Sequence, residues 1–157
     1  MKIYLATDHA GYQAKETVKA HLQSQGYEVE DCGAFSFDEK DDYPDFISIA
    51  AEAVSKDSEN TKAIIFGGSG QGEAIVANKF KNVRAVVFYG ENPDLVKIFR
   101  EHNNANILSI GARFVSDDNV LKAVDLFLKT PFSGEERHTR RIGKIKEIEQ
   151  NKTSGNL

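Results

Sequence analysis

Residues 63–73 have the sequence AIIFGGSGQGE, in which four apolar residues precede a glycine-rich turn and an acidic residue, Glu73. The continuous apolar run predicts a buried β-strand, and the pattern over 71–80 predicts a helix that begins at the end of the turn. A strand–turn–helix junction brings backbone N–H groups and the positive end of a helix dipole to one place, which favours an anion or a developing oxyanion there. The stretch therefore predicts an α/β fold with a candidate catalytic site at the turn.

The same alternation of apolar strand and amphipathic helix extends over the rest of the chain. Strands are predicted at residues 2–7, 27–32, 63–66, 84–89 and 106–110, and helices at residues 12–25, 43–54, 71–80, 95–101, 120–129 and 135–150. Parallel strands need crossover connections, and helical crossovers cover both faces of a sheet. The pattern thus predicts a three-layer α/β/α sandwich with a five-stranded parallel, Rossmann-like sheet.

Three local patterns refine this topology. Residues 27–32 alternate between polar and apolar side chains, which predicts a strand near the edge of the sheet. Residues 84–89 lack strict alternation, which predicts a strand buried on both faces. Residues 102–105 are expected to form a connection between the fourth helix and the fifth strand.

Length and composition favour one compact unit. The chain has 157 residues, of which 40% are hydrophobic and 28% are charged, enough for one well-buried core. We expect a single domain over residues 1–150, followed by a frayed C-terminal tail over 151–157.

The net charge, the cysteine content and the length of the apolar runs also argue against several classes of protein. A net charge of −4 disfavours a nucleic-acid-binding protein, which usually carries a basic surface. The single cysteine, Cys32, cannot form an internal disulfide, and no signal-peptide pattern precedes the first strand. No apolar run approaches the ~20 residues of a membrane helix. We therefore expect a soluble cytoplasmic protein that binds neither membrane nor nucleic acid.

In open parallel sheets, ligands bind at the carboxyl ends of the strands. The predicted strands end next to Asp8 and His9, the glycine turn at 67–73, Tyr89, and Arg113. Because the carboxyl ends of parallel strands lie side by side, we expect a polar cleft there.

The glycine turn alone leaves its role open. Its spacing is one residue short of the dinucleotide fingerprint G-x-G-x-x-G, and no Gly-Lys-Ser/Thr follows it. Glu91 does lie about twenty residues downstream, where a dinucleotide fold would hold the ribose, so a nicotinamide binder is a weaker alternative. Glu73 also has a purely structural explanation, since Gly70 as N-cap makes it the third residue of the helix, where acidic side chains are favoured.

A basic segment supplies a second candidate site. Arg137 and Arg141 are four residues apart, hence on one face of the last predicted helix, where both guanidinium groups could bind a single phosphate. The alternative is a solvated basic face. In an acidic protein, this local concentration of positive charge favours a small anionic ligand.

Taken together, these residues resemble the ribose-5-phosphate isomerase B family, which also includes the galactose-6-phosphate isomerase subunits. The resemblance extends from Ile3 to about residue 150. It is carried, in this order, by Asp8-His9-Ala10-Gly11, Asp42-Tyr43-Pro44, the turn at 67–73, Ala77-Asn78-Lys79, Val83-Arg84-Ala85, residues 102–106, Gly111-Ala112-Arg113 and Arg137-His138-x-x-Arg141.

The resemblance implies an aldose–ketose isomerase that interconverts ribose 5-phosphate and ribulose 5-phosphate, a reaction of the pentose phosphate pathway, without metal or organic cofactor. It also implies a homodimer, or a further assembly into a tetramer, whose active sites take residues from both subunits. Many family members begin the glycine turn with a cysteine that acts as the base, and Gly67 stands at that position here. The sequence is similar to the branch in which a glutamate does this work, which assigns the role to Glu73.

The resemblance also implies roles for the other site residues. In catalysis, Ser69 and the N–H groups of residues 70–73 would hold the enediolate oxygen, and His102 would open the sugar ring with Asp8 nearby as its acid/base partner. Substrate-binding roles fall to His9, Tyr43 and Asn103 for the hydroxyl groups, to Arg113, Arg137, His138 and Arg141 for the phosphate, and to Gly68, Gly70 and Gly72 in the turn.

Two alternatives remain open at this stage. The chain length of the sugar depends on the depth of the pocket, so the substrate could be another aldose phosphate, such as galactose 6-phosphate, allose 6-phosphate or a tetrose phosphate. A non-catalytic module that binds a sugar phosphate or a nucleotide would keep the same glycine turn.

Overall fold

A computed structural model describes residues 1–153 of the chain. The strands are β1 (Lys2–Thr7), β2 (Glu28–Asp31), β3 (Thr61–Gly67), β4 (Ala85–Phe88) and β5 (Ile107–Gly111). The helices are α1 (Tyr12–Ser24), α2 (Tyr43–Lys56), α3 (Gln71–Ala77), α4 (Leu95–Asn103), α5 (Asp117–Lys129) and α6 (Glu136–Thr153), and a short 3₁₀ turn spans His9–Gly11. None of the described helices is both long enough and apolar enough to cross a membrane.

The five strands form one parallel sheet in the order β2-β1-β3-β5-β4. The central strand β3 pairs with β1 on one side and with β5 on the other, where Gly67 is the register partner of Gly111. This arrangement confirms the predicted three-layer α/β/α fold and the edge position of the strand at 28–31.

The apolar run of β3 serves both faces of the sheet, which explains why it shows no alternation. Ile64 and Phe66 belong to the hydrophobic cluster that includes residues of α1, α4 and α5. Ala63 and Ile65 belong to the second cluster, which includes residues of α2 and α3. Because successive side chains of a strand point to opposite faces, each face of β3 is buried under its own layer of helices.

The prediction for the fourth strand is wrong in one respect. We expected burial on both faces, but β4 lies at the edge of the sheet and its residues Ala85, Val86 and Val87 are only partly buried. The chain places β5 between β3 and β4, so β4 has a strand neighbour on one side only. The order of strands is a long-range property that the apolar character of β4 did not reveal.

Several element boundaries also differ from the prediction, and three of these differences involve candidate site residues, their surroundings or the C-terminal helix. Helix α3 ends at Ala77 instead of residue 80, because the Asn78 amide exchanges hydrogen bonds of 2.9 and 2.8 Å with the backbone of Ala85. His102 and Asn103 lie in the last turn of α4 instead of a connecting loop. Helix α6 extends to Thr153, so residues 151–153 of the predicted frayed tail are helical, and its residues 154–157 lie outside the described residues.

A buried lysine fixes the loop that leads from β2 to α2. Lys15 of α1 is fully buried, and its Nζ donates to both carboxylate oxygens of Asp31 at 2.6 and 2.7 Å and to the carbonyl of Ala34 at 2.7 Å. Burial opposes the ionisation of Asp31, but hydrogen bonds from Lys15, Lys19 and the Gly33 N–H outweigh it and hold the pKa of Asp31 below its ordinary value. The buried Lys15–Asp31 pair therefore fixes the start of the loop that leads residues 35–42 toward the carboxyl ends of the strands.

Candidate active site

A polar cleft of about 450 Å³ opens at the carboxyl ends of β1 and β3. Its walls are formed by Asp8, His9, Ala10, Tyr43, Gly68, Ser69, Gly72, Glu73, Arg113 and Phe114. The cleft lies where ligands bind in open parallel sheets. It brings together the predicted site residues that follow β1, β3 and β5, together with Tyr43 at the start of α2.

The carboxylate of Glu73 lies directly against the backbone of Gly67. A Cβ atom built on Gly67 would overlap Oε1 and Cδ of Glu73 and would lie only 2.5 Å from Oε2. Glycine at position 67 is therefore what leaves room for this carboxylate. A cysteine side chain at position 67 would overlap the Glu73 carboxylate in this conformation. This overlap is a physical reason why glycine stands here in place of the cysteine that many family members have.

Glu73 is a buried acid, with only 4% of its surface exposed. Burial raises the pKa of its carboxyl group, the nearby charge of Asp8 raises it further, and a hydrogen bond from its own N–H partly offsets both effects. Gly70 is the N-cap of α3, as predicted, so the position of Glu73 suits a helix-stabilising acid. Helix stabilisation does not require burial, however, and a buried acid with a raised pKa is a typical feature of active sites.

The glycine turn is held in place by β5. Gly70 adopts a left-handed conformation with φ of 77°, and the Ser109 hydroxyl donates to its carbonyl at 2.6 Å. The Gln71 N–H donates to Ser69 Oγ at 3.3 Å, while Ser69 itself is exposed and lines the cleft. Ser109 was missed by the sequence analysis, although a lone serine among the apolar residues 107–110 was an available signal.

Two side chains reach over the turn from other elements. The Tyr43 ring packs so closely on Gly72 that a Cβ atom there would lie 2.7 Å from its hydroxyl oxygen. The Arg113 guanidinium lies over Gly68, 3.3 Å from the position of a Cβ atom. The absence of side chains at these two glycines thus brings a phenol and a cation close to the turn backbone.

Asp8 and His9 occupy the end of β1. Asp8 is buried, and its Oδ1 accepts from the Ala10 N–H at 2.9 Å, so it caps the short 3₁₀ turn and lines the cleft at once. Asp41 binds His9 twice, since Oδ1 accepts from the backbone N–H at 3.0 Å and lies 2.7 Å from Nδ1. Asp41 was not among the predicted site residues, and its one signal in the sequence is its place in an acidic loop.

The ligand atoms of Asp8, His9 and Asp41 lie within 4.8 Å of one another, the distance range of a metal site. His9 Nδ1 and Asp41 Oδ1 already pair with each other, and Asp8 Oδ1 accepts from Ala10. We therefore assign these atoms to hydrogen bonds and not to a cation.

Most of the remaining predicted site residues line a second cavity of about 500 Å³. It is lined by His102 and Asn103 of α4, by His138, Arg141, Ile142, Ile145, Ile148 and Glu149 of α6, and by Asn78, Val83, Arg84, Ala85 and Val86 near β4. The rings of His102 and His138 stack with centroids 4.3 Å apart. Burial lowers the pKa of His138, and the neighbouring His102 and Arg137 lower it further.

His138 and Arg137 differ in their surroundings. His138 Nε2 is buried and has no hydrogen-bond partner among the described residues, its distance to Glu135 Oε2 being 3.9 Å. Arg137 is exposed, and its Nε donates to Glu135 Oε2 at 2.9 Å. The structure therefore does not place the Arg137 guanidinium in either cavity.

The two groups of predicted residues lie at opposite ends of the parallel strands. Glu73 and Asp8 follow the carboxyl ends of their strands, whereas His102 lies in the last turn of α4, the helix that leads into the amino end of β5. All five strands are parallel, and a five-residue strand such as β5 is about 17 Å long. The pairing of Asp8 with His102 that the resemblance implies is therefore not formed within one chain, since these residues line different cavities.

Comparison with known proteins gives consistent matches over nearly the whole chain. Residues 3–145 match the family model described as Ribose/Galactose Isomerase. Ribose-5-phosphate isomerase B of Mycobacterium tuberculosis H37Rv is 41% identical over 150 residues, which cover 96% of this chain and 91% of the relative. The corresponding protein of Escherichia coli K12 is 38% identical over 149 residues, covering 95% of this chain and 97% of the relative.

Solved structures agree with these sequence matches. Ribose-5-phosphate isomerase B from Mycoplasma genitalium with bound ribulose-5-phosphate is 40% identical with a TM-score of 0.91, covering 95% of this chain and 96% of that one. The enzyme from Clostridium thermocellum is 43% identical with a TM-score of 0.89, covering 96% of this chain and 99% of that one.

Proposed function

The chain belongs to the ribose/galactose isomerase family, and from this premise we propose that it interconverts ribose 5-phosphate and ribulose 5-phosphate through a cis-enediolate, with Glu73 as the base. The observation that carries the proposal is the buried carboxylate of Glu73, seated against Gly67 in the wall of the polar cleft. The relatives are ribose-5-phosphate isomerases, and one of them, from Mycoplasma genitalium, has ribulose-5-phosphate bound, which supports the substrate class proposed for this chain.

Glu73 has the properties that the reaction needs. It removes the proton from C2 of the open-chain aldose, negative charge develops on O1, and the resulting carboxylic acid returns the proton to C1 while the hydroxyl proton of O2 moves to O1. A base is most effective when its pKa lies closer to the working pH, and burial moves the pKa of Glu73 upward in that direction. A positioned base of this kind contributes about 10²–10⁴ in rate.

The turn beside Glu73 suits the developing charge. Ser69 is exposed to the cleft, and the Arg113 guanidinium lies over Gly68. The N–H groups of Gln71 and Glu73 already have partners within the turn, so the hydroxyl of Ser69 and the N–H groups of Gly70 and Gly72 are the donors we assign to the enediolate oxygen. Tyr43, packed on Gly72, would orient a sugar hydroxyl from the opposite wall.

We further propose that the active form is a homodimer whose sites combine the polar cleft of one subunit with the α4 and α6 residues of the other. Ring opening by His102 next to Asp8 requires this, because the two residues line different cavities in one chain. The apolar side chains Ile145 and Ile148 of α6 are 48% and 51% exposed, and β4 is a partly buried edge strand. Contact with a second copy would bury these surfaces and bring His102, Asn103, Arg137, His138 and Arg141 to the sugar phosphate.

The direct test is an isomerisation assay with the purified chain on aldose phosphates of four to six carbons. We expect the highest kcat/KM with ribose 5-phosphate. The family description also names galactose, so galactose 6-phosphate is the second candidate substrate. Binding of ribose 5-phosphate without turnover would instead indicate the non-catalytic module.

The shared site predicts recovery of activity in a mixed dimer. Glu73→Gln and His102→Asn are each expected to be nearly inactive as homodimers. A heterodimer purified through two different tags contains one site with both Glu73 and His102 intact, so we expect about half of the wild-type kcat. The measurement is the steady-state rate with ribose 5-phosphate.

The matched control pairs Glu73→Gln with Asp8→Asn, since both residues line the same cleft. Every site of that heterodimer keeps one of the two substitutions, so its activity should stay near the level of the homodimers. Equal recovery in the two heterodimers, or none in the first, contradicts the shared arrangement.

A further inference from the structure

Asp41 is a nearly buried acid that makes its hydrogen bonds to His9. Only 10% of its side chain is exposed. Oδ1 accepts from the His9 backbone N–H at 3.0 Å and lies 2.7 Å from Nδ1 of the ring, while Oδ2 is buried without a hydrogen-bond partner in the part of the chain that the structure describes. A loop residue more than thirty positions away thus holds both the backbone and the ring of His9.

This contact decides which ring nitrogen of His9 is free. Because Nδ1 is engaged by Asp41, Nε2 is the nitrogen left for a ligand. His9 and Arg113 both line the polar cleft and also the adjoining cavity of about 460 Å³ that includes Phe37 and Glu39. The Phe37 ring contacts the imidazole edge to face, with centroids 6.1 Å apart, and further limits the rotation of the ring.

We propose that Asp41 is a positioning residue that orients the imidazole of His9, so that Nε2–H donates a hydrogen bond to the bound sugar phosphate beside Arg113. The inference rests on the proposed function for the identity of the ligand. A carboxylate fixes the direction of a histidine ring in the same way in other active sites, and since Nδ1–H donates to Asp41, Nε2 donates when the ring is in its imidazolium form.

The charges around His9 favour its cationic form. Asp41 raises the pKa of the imidazole through the hydrogen bond to Nδ1, burial opposes the rise, and the charge of Asp8 adds to it, while Arg113 acts in the opposite sense. Glu39 is a further acidic residue that lines the adjoining cavity with His9. His9 therefore stays protonated to a higher pH than an isolated histidine, and it loses this property if the charge at position 41 is removed.

The test compares Asp41→Asn with Asp42→Asn. Asp42 is the exposed neighbour whose side chain makes no capping hydrogen bond to α2, and asparagine is an equally good N-cap, so this control removes the same charge one residue away. For Asp41→Asn we expect KM for ribose 5-phosphate to rise about tenfold at a pH between the His9 pKa of the variant and that of the wild type, as loss of a charged hydrogen bond predicts, with kcat changed less than twofold. Asp42→Asn should leave both constants unchanged.

The pH dependence separates positioning from general damage to the fold. The KM difference should shrink as the pH falls through the lowered pKa of His9 in the variant, because the imidazole is then cationic in both proteins. An NMR titration of the histidine rings, with His9 assigned through His9→Gln, should show that pKa decrease directly. A KM increase that is the same at every pH, or an unchanged His9 pKa, overturns the proposal.

Further variants complete the test. Asp41→Glu, which keeps the charge, should retain most of the rise in the His9 pKa, and Asp41→Ala, which removes the charge, replaces Asp41→Asn in the comparison should the asparagine variant not fold. The double variant His9→Gln with Asp41→Asn should have the same KM as His9→Gln alone if Asp41 acts through His9. The NMR titration uses the free protein, so it tests Asp41 even if the chain fails to isomerise ribose 5-phosphate.

Discussion

Glu73→Gln is expected to lower kcat for ribose 5-phosphate by about 10²–10⁴-fold, with KM changed less than threefold. Glutamine keeps the size of the buried side chain and removes only the capacity to accept a proton. Because the carboxylate is seated against Gly67 and is nearly buried, an amide can occupy the same space. The measurement is steady-state kinetics, with sugar-phosphate binding checked separately by calorimetry.

Glu91→Gln is the control for this variant. Glu91 is exposed and is the residue that a dinucleotide-binding protein would use for the ribose, so its replacement should not change kcat. Substantial residual turnover in Glu73→Gln would reject Glu73 as the base.

The same substitution carries a prediction about stability. Burial raises the pKa of Glu73, so the folded state binds this proton more tightly than the unfolded chain, and the ionised carboxylate destabilises the fold at neutral pH. Glutamine avoids this cost, and Tm at pH 7.5 should equal or exceed that of the wild type. The difference should vanish below the unfolded pKa of about 4.3, where the carboxyl group is protonated in both states.

Gly67→Ala is expected to reduce kcat to about the level of Glu73→Gln. The new methyl group would occupy the position of the Glu73 carboxyl group, which must then move away from the backbone of residue 67. A displacement of about 1 Å from the reactive geometry already costs about 10²-fold in rate. Steady-state kinetics and a crystal structure of the variant would measure the loss and the new position of the side chain.

Gly68→Ala is the matched control, one residue further along the same turn. The atoms nearest to its methyl group would belong to the Arg113 side chain, at 3.3 Å, and because a guanidinium at the end of a flexible chain can move, the loss of kcat should be much smaller. The double variant Gly67→Ala with Glu73→Gln should be no slower than either single variant, because both remove the same base. Additive losses would show that Gly67 acts independently of Glu73.

Local patterns were sufficient for much of the fold. The apolar run of β3, the capping glycine at position 70 and the start of α2 at Tyr43 depend on neighbours in the sequence, and the structure confirms all three. The family and its reaction followed from ordered motifs along the chain, and the comparisons agree with both. The homodimer, the cytoplasmic location and the roles of individual residues remain predictions.

The sequence by itself determined the type and order of the strands and α-helices, because hydrophobic periodicity and turn chemistry act over a few residues. Only the tertiary structure decided that β4 lies at an edge and that His102 is separated from Asp8, since strand order depends on long-range pairing. The same holds for the glycine turn. Its spacing allowed Glu73 to be either a capping acid or a base, and only the tertiary structure shows that its carboxylate is buried in the space left empty at Gly67, which favours the base.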